Sequence, residues 1–158
     1  MQRKQTANPV EFTDVSTIPA AGRIVGIDPG TKYVGVAVSD ETQLIARPVK
    51  TLVRTSWKKL LSDIKQIVSD FDAVAIVVGL PLGFEGDRIE MTDEAESMAR
   101  KLALSLAMPV ALQDERVTTY DARKRLWDRG IKPEDTKSEV DSEAASIILS
   151  DFLSRRNQ

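Results

Sequence analysis

Apolar positions recur with two different periods along this chain, and each change of period marks a new element. From Arg23 a short β-branched run (Ile24, Val25, Ile27) stops at Asp28-Pro29-Gly30. Tyr33 to Val38 is a second run, stopped by Ser39-Asp40-Glu41, and Leu44 to Val53 is a looser third. Three strands joined by short turns predict an antiparallel meander. At Ser56 the spacing becomes helical, with Leu60, Leu61, Ile64, Ile67 and Val68 leading to Phe71. Ala73 to Val78 is apolar at every position, as in a central strand covered on both faces. A glycine-bearing loop over 79–90 leads to a helix through Ala95, Met98, Ala99, Leu102 and Leu106, broken before Pro109. Val110-Ala111-Leu112 predicts a short strand, Thr119 to Arg129 a helix ended by Gly130, and Val140 to Phe152 the last helix. Meander strands followed by alternating helix and strand predict an α/β fold with one mixed sheet. Residues 1–22 carry no periodicity and read as a flexible N-terminal arm, leaving 23–158 as a single domain.

Composition narrows the chemistry. The 158 residues include no cysteine and no histidine. That excludes a thiol nucleophile, a disulfide scaffold, the common zinc sites and the usual general base. Catalysis must then run on carboxylates, hydroxyls, Lys, Arg, backbone groups or hard metal ions. Lys and Arg number 22 against 24 Asp and Glu, so a basic nucleic-acid-binding surface has to be local. No stretch approaches the ~18 apolar residues of a membrane span, and no signal-peptide core is present. The expectation is a cytoplasmic protein without membrane association.

Carboxylates stand out at three places in the chain. Asp28 ends a central strand, where α/β sites are built, although Asp-Pro-Gly is also good turn chemistry. Gly30 and Thr31 beside it offer backbone N–H and hydroxyl groups to a phosphate. Asp114 and Glu115 end the Val110 strand and must face opposite sides, without a sign of which faces inward. Asp141 lies four residues before Ala145 and seven before Ile148, on the apolar stripe of the last helix. It is a capping residue with Ser138 as N-cap, or a buried carboxylate that needs a partner such as a metal ion. Oxygen ligands without His or Cys suit Mg²⁺ or Mn²⁺, and two such ions support in-line phosphoryl displacement.

Four blocks in order then resemble one family. They are Gly26-Ile27-Asp28-Pro29-Gly30-Thr31-Lys32 running into Gly35 to Asp40; Val78 to Leu82; Asp114 to Thr119; and Asp141 to Ala145. Together they resemble the YqgF family, described both as Holliday-junction resolvases and as pre-16S ribosomal RNA nucleases, over about residues 22–153. The resemblance implies an RNase H-like mixed five-stranded sheet, three antiparallel meander strands plus two parallel, covered by helices. It implies a catalytic, metal-binding triad of Asp28, Glu115 and Asp141 with two Mg²⁺ or Mn²⁺ ions. It also implies phosphate contacts by Gly30, Thr31, Lys32, Arg116 and Thr118. The implied substrate is precursor ribosomal RNA or branched DNA, cut by a monomer or homodimer. Tyr33-Val34 depart from the family's frequent Arg-Ile, and the arm is longer than the family requires.

Basic stretches add to this picture. Arg47, Lys50, Arg54, Lys58 and Lys59 lie between Glu41 and Asp63 with no acid among them. Six more basic residues fall between Arg116 and Lys132 against Asp121 and Asp128. Either stretch is an ordinary solvated face or a set of phosphate contacts. Trp57 and Trp127 fit core packing better than base stacking. Two other functions compete: a non-catalytic RNA- or ribosome-binding module, and an actin-like ATPase fragment built on an Asp-x-Gly-Thr loop.

Overall fold

The computed structural model describes residues 15–83, 85–115 and 137–157, the last segment's first four residues by backbone alone. The three predicted meander strands form as β1 (Ile24–Pro29), β2 (Tyr33–Ser39) and β3 (Ala46–Val53). Next come α1 (Trp57–Asp70), β4 (Ala75–Pro81), α2 (Glu90–Leu106), β5 (Val110–Glu115) and α3 (Lys137–Arg156). The sheet order is β3-β2-β1-β4-β5, antiparallel across β1, β2 and β3 and parallel across β1, β4 and β5. This is the expected mixed five-stranded sheet. Residues 116–136, including the helix expected over 119–129, lie outside the described residues.

Alternation along the strands divides the core in two. Val25, Ile27, Val36, Val38, Ile76 and Val78 face α1 and α2, packing on Leu60, Ile64, Met98 and Leu102. Ile24, Ala37, Ala75, Val77 and Ala111 face the other way, onto Ala145, Ile148, Leu149 and Phe152 of α3. The α3 side of the sheet carries Ala37, Ala75 and Ala111, and glycine is obligatory where the helix crosses. A Cβ on Gly26 would lie 2.8 Å from Leu149 Cβ, and one on Gly79 2.5 Å from Ile148 Cδ1. A Cβ on Gly35 would lie 1.8 Å from the carbonyl oxygen of Asp141. Helix α3 therefore rests on bare backbone of β2, β1 and β4.

Local chemistry sets the helix ends. Ser56 caps α1, its hydroxyl accepting from the Lys59 N–H at 3.1 Å. Thr92 caps α2 by accepting from the Ile89 N–H at 3.0 Å, and its own hydroxyl donates to the Pro81 carbonyl. That second bond ties the helix start to the end of β4. Trp57 packs against the α1/α2 core with Lys101 over its ring at 5.3 Å, which is the core-packing role.

Residues 15–22, assigned by sequence to the arm, lie against the domain. Ile18 is buried with the α3-side core. The hub is Gln43 in the β2–β3 turn, which has a φ of 60° and is 3% exposed. Its Nε2 donates to the carbonyls of Pro19 (2.9 Å) and Gly22 (3.0 Å), and its own carbonyl accepts from Asn157 Nδ2 at 3.2 Å. Arg156 Nη2 donates to the carbonyls of Ile18 and Pro19. A Gln43→Ala variant removes the amide donor from the Pro19 and Gly22 carbonyls, the first of which keeps Arg156, and should lose ~1 kcal/mol in urea unfolding. A loss within error would mean that water replaces the amide at no cost.

Candidate active site

Asp28 shares a strand face with Ile24 and Gly26, so its carboxylate points toward α3. Its register partner on β2 is Gly35, the residue on which the Asp141 carbonyl rests. Two acids from distant parts of the chain are thus set side by side by one strand pairing and one missing side chain. Burial, reinforced by the negative charge of Asp141, pushes the Asp28 carboxyl up from 3.8 to about 7. Helix α3 begins at Lys137, so Ser138 lies inside the helix and Asp141 is not the third residue of a capping box.

The same alternation resolves the Asp114–Glu115 pair. Ala111 faces α3, and so therefore do Gln113 and Glu115, while Asp114 is exposed on the other side. Glu115 is partly buried, with Oε1 closed off from solvent. Glu115 stands two strands from Asp28, about 10 Å across the sheet. Its register partner is Pro81, beyond the part of β4 that pairs with β1. Among the described residues no three acids come close enough to share one metal ion. The structure brings Asp28 and Asp141 together and places Glu115 on the same face but farther along the rim.

Residues 30–32, expected to contact phosphate, lie beside Asp141. Gly30, Thr31, Lys32, Tyr33 and Asp141 line one cleft of about 270 Å³. The loop is tight: the Gly30 N–H donates to the Asp28 carbonyl at 3.1 Å, and a Cβ on Gly30 would lie 2.0 Å from the Tyr33 oxygen. Tyr33, the departure noted in the sequence, is a wall of that cleft. Arg116 and Thr118 lie outside the described residues.

The basic run over 47–59 is mostly engaged within the protein. Arg47 lies over the Phe71 ring at 5.6 Å and Lys59 pairs with Asp63 at 2.6 Å. Arg54 reaches the cleft loop, where its Nη1 donates to the Gly30 carbonyl and to Glu94 Oε2, both at 3.1 Å. By sequence Arg54 was only one member of a basic stretch, and Glu94 was not singled out. The proximity of Arg54 to the loop depends on where β3 ends relative to β1, which periodicity does not give. Glu143, two residues past Asp141, is also buried, at 2% exposure.

Residues 22–155 match the RuvX family, described as Holliday junction resolvase. The chain belongs to that family. A protein from Anaeromyxobacter dehalogenans named "Putative pre-16S rRNA nuclease" is 38% identical over 134 residues, covering 85% of this chain and 98% of the relative. A Roseiflexus protein of the same name is 36% identical over 84% of this chain and 94% of the relative. Among solved structures, Thermus thermophilus RuvC in complex with Holliday junction substrate superposes with a TM-score of 0.53 at 20% identity, covering 86% and 96% of the two chains. The fowlpox virus Holliday junction resolvase gives 0.50 at 11% identity over 84% and 99%. These structures share the fold, the mixed five-stranded sheet that the YqgF-like motifs implied. No helix among the described residues is long and apolar enough to cross a membrane.

Proposed function

We propose that this chain is a divalent-metal-dependent nuclease that hydrolyses phosphodiester bonds of structured nucleic acid, either precursor ribosomal RNA or branched DNA. The observation that carries the reading is the Asp28–Asp141 pair beside a cleft walled by Gly30, Thr31 and Lys32. Two carboxyl groups held together so that one of them resists ionisation are a poor resting arrangement and a good receptor for a cation. The donor set fits Mg²⁺ or Mn²⁺, which take oxygen ligands through one or two carboxylates and leave positions for substrate phosphate. Asp28 and Asp141 would hold the ion, while Glu115 lies on the same face farther along the rim. A cation bound there would supply charge neutralisation for a phosphodiester undergoing in-line displacement.

The chain's own residues do the rest. The Gly30–Lys32 loop binds the phosphate next to the scissile bond with backbone N–H groups, the Thr31 hydroxyl and the Lys32 ammonium. Partial burial of Asp28 strengthens every charge interaction in the site. Ribosomal RNA is favoured by the names of the relatives and a DNA junction by the description of the family. The deciding experiment is cleavage of a four-way DNA junction, single strands and precursor ribosomal RNA with Mg²⁺ or Mn²⁺. Wild type should cut at least one of them, and Asp141→Asn should lose both cleavage and the Mn²⁺-induced rise in melting temperature. An Asp141→Asn protein that keeps that rise would remove Asp141 from the ligand set.

A further inference from the structure

The loop between β1 and β2 is held from behind by one arginine. The Arg54 backbone N–H donates to the Lys32 carbonyl at 2.8 Å. Its guanidinium Nη1 donates to the Gly30 carbonyl, and Glu94 of α2 fixes that guanidinium through the same nitrogen. The Arg54 side chain is 25% exposed and that of Glu94 47%. We infer that Arg54, oriented by Glu94, is a positioning residue that sets the shape of the phosphate-binding loop 30–32. The inference rests on the nuclease reading above.

The argument is geometric. A trans peptide carries its N–H opposite its C=O. Drawing the Gly30 carbonyl toward Arg54 therefore turns the Thr31 N–H away from Arg54. The Lys32 carbonyl, held the same way, fixes the other end of the loop. Two bonds from one residue decide which backbone donors a phosphate in the cleft meets. The charge of Arg54 is already matched by Glu94, so the pair contributes little long-range attraction for a polyanion. Arg54 acts through the loop, whereas Lys32, exposed on the cleft wall, touches phosphate itself.

The test compares Arg54→Ala, Glu94→Ala, the double variant and Lys32→Ala in single-turnover cleavage and in nucleic-acid binding across a salt series. Arg54→Ala should lower kcat/KM by ~10–100-fold, the scale of a loop displaced by about 1 Å. Its salt dependence of binding should equal that of wild type, whereas Lys32→Ala should reduce the slope by about one. Glu94→Ala should lose at least ~3-fold, and the double variant should be no worse than Arg54→Ala alone. Amide exchange of residues 30–33 should quicken in both single variants at positions 54 and 94. Wild-type kcat/KM in a folded Arg54→Ala protein, additive losses, or a salt slope reduced by one would each overturn the assignment. Should Arg54→Ala fail to fold, Glu94→Ala decides, and wild-type kcat/KM there overturns it. A wild type that cleaves no substrate counts against the nuclease reading, and amide exchange then decides the positioning role by itself.

Discussion

Asp28→Asn should abolish metal-dependent cleavage, by at least ~10²-fold, and at the same time make the metal-free protein more stable above neutral pH. The two effects share one cause. In the folded protein Asp28 keeps its proton up to about pH 7, whereas in the unfolded chain it releases it near 3.8. Between those values the folded state binds one more proton than the unfolded state, so stability falls as pH rises. The decline is absent below pH 4 and complete above about pH 7. Its size is on the order of 2–4 kcal/mol for wild type without metal. Asparagine has nothing to ionise, so the variant should show a flatter profile and the larger advantage at pH 8. Urea unfolding of chelator-treated protein at pH 5, 6, 7 and 8 measures this directly. Parallel profiles for wild type and variant would mean that Asp28 is not held protonated.

Gly35→Ala should damage activity more than its stability loss explains. The added methyl would start 1.8 Å from the Asp141 carbonyl oxygen and 3.0 Å from the Ser142 nitrogen, both backbone atoms that cannot rotate away. Helix α3 has to lift off β2, at a cost of ~3 kcal/mol or more. The same movement carries Asp141 away from Asp28, and a shift of about 1 Å costs ~10²-fold in rate. Val36→Ala is the informative comparison, because Val36 is the next residue but faces α1 and α2. It should lose ~2 kcal/mol through a cavity and keep near-normal kcat at temperatures where it is folded. Similar kcat losses for the two variants would show that general loosening, not the seat under Asp141, limits the reaction.

The strand-end place of Asp28 was legible because a β-branched run stops there, and the inward place of Asp141 because a period of 3.6 puts it on the apolar stripe. The run of β-branched residues ending at Asp28 and the Ala145–Ile148 stripe carried that information locally. Their juxtaposition was not legible, since it depends on the pairing of Asp28 with Gly35 and on α3 crossing at that point. Glu115 shows the intermediate case. Alternation said that Asp114 and Glu115 differ, but only the packing of Ala111 on α3 shows which faces the helix. At its C-terminal end β4 was shorter in the sequence reading than in the fold. The β4 strand extends to Pro81 and β5 to Glu115, because parallel pairing between them runs past the apolar residues that mark a strand. Beyond β4, Leu82 bridges to Arg88 and its N–H donates to the Glu115 carbonyl at 3.1 Å, so the glycine-bearing loop is folded back on itself. Ile18 was missed because one apolar residue in a polar stretch has no period to reveal it.

Helix α3 is fastened at the end remote from Asp141. Arg156 and Asn157 bond to Ile18, Pro19 and Gln43, while Asp141 sits fifteen residues earlier, about 22 Å along the helix axis. Such a rod behaves as a lever with its pivot at the Gln43 hub. A tilt of about 3° there moves Asp141 by roughly 1 Å, enough to matter in a reaction that depends on carboxylate spacing. Residues of the β2–β3 turn, on the opposite rim of the sheet from the cleft, therefore hold leverage over the chemistry without approaching the substrate.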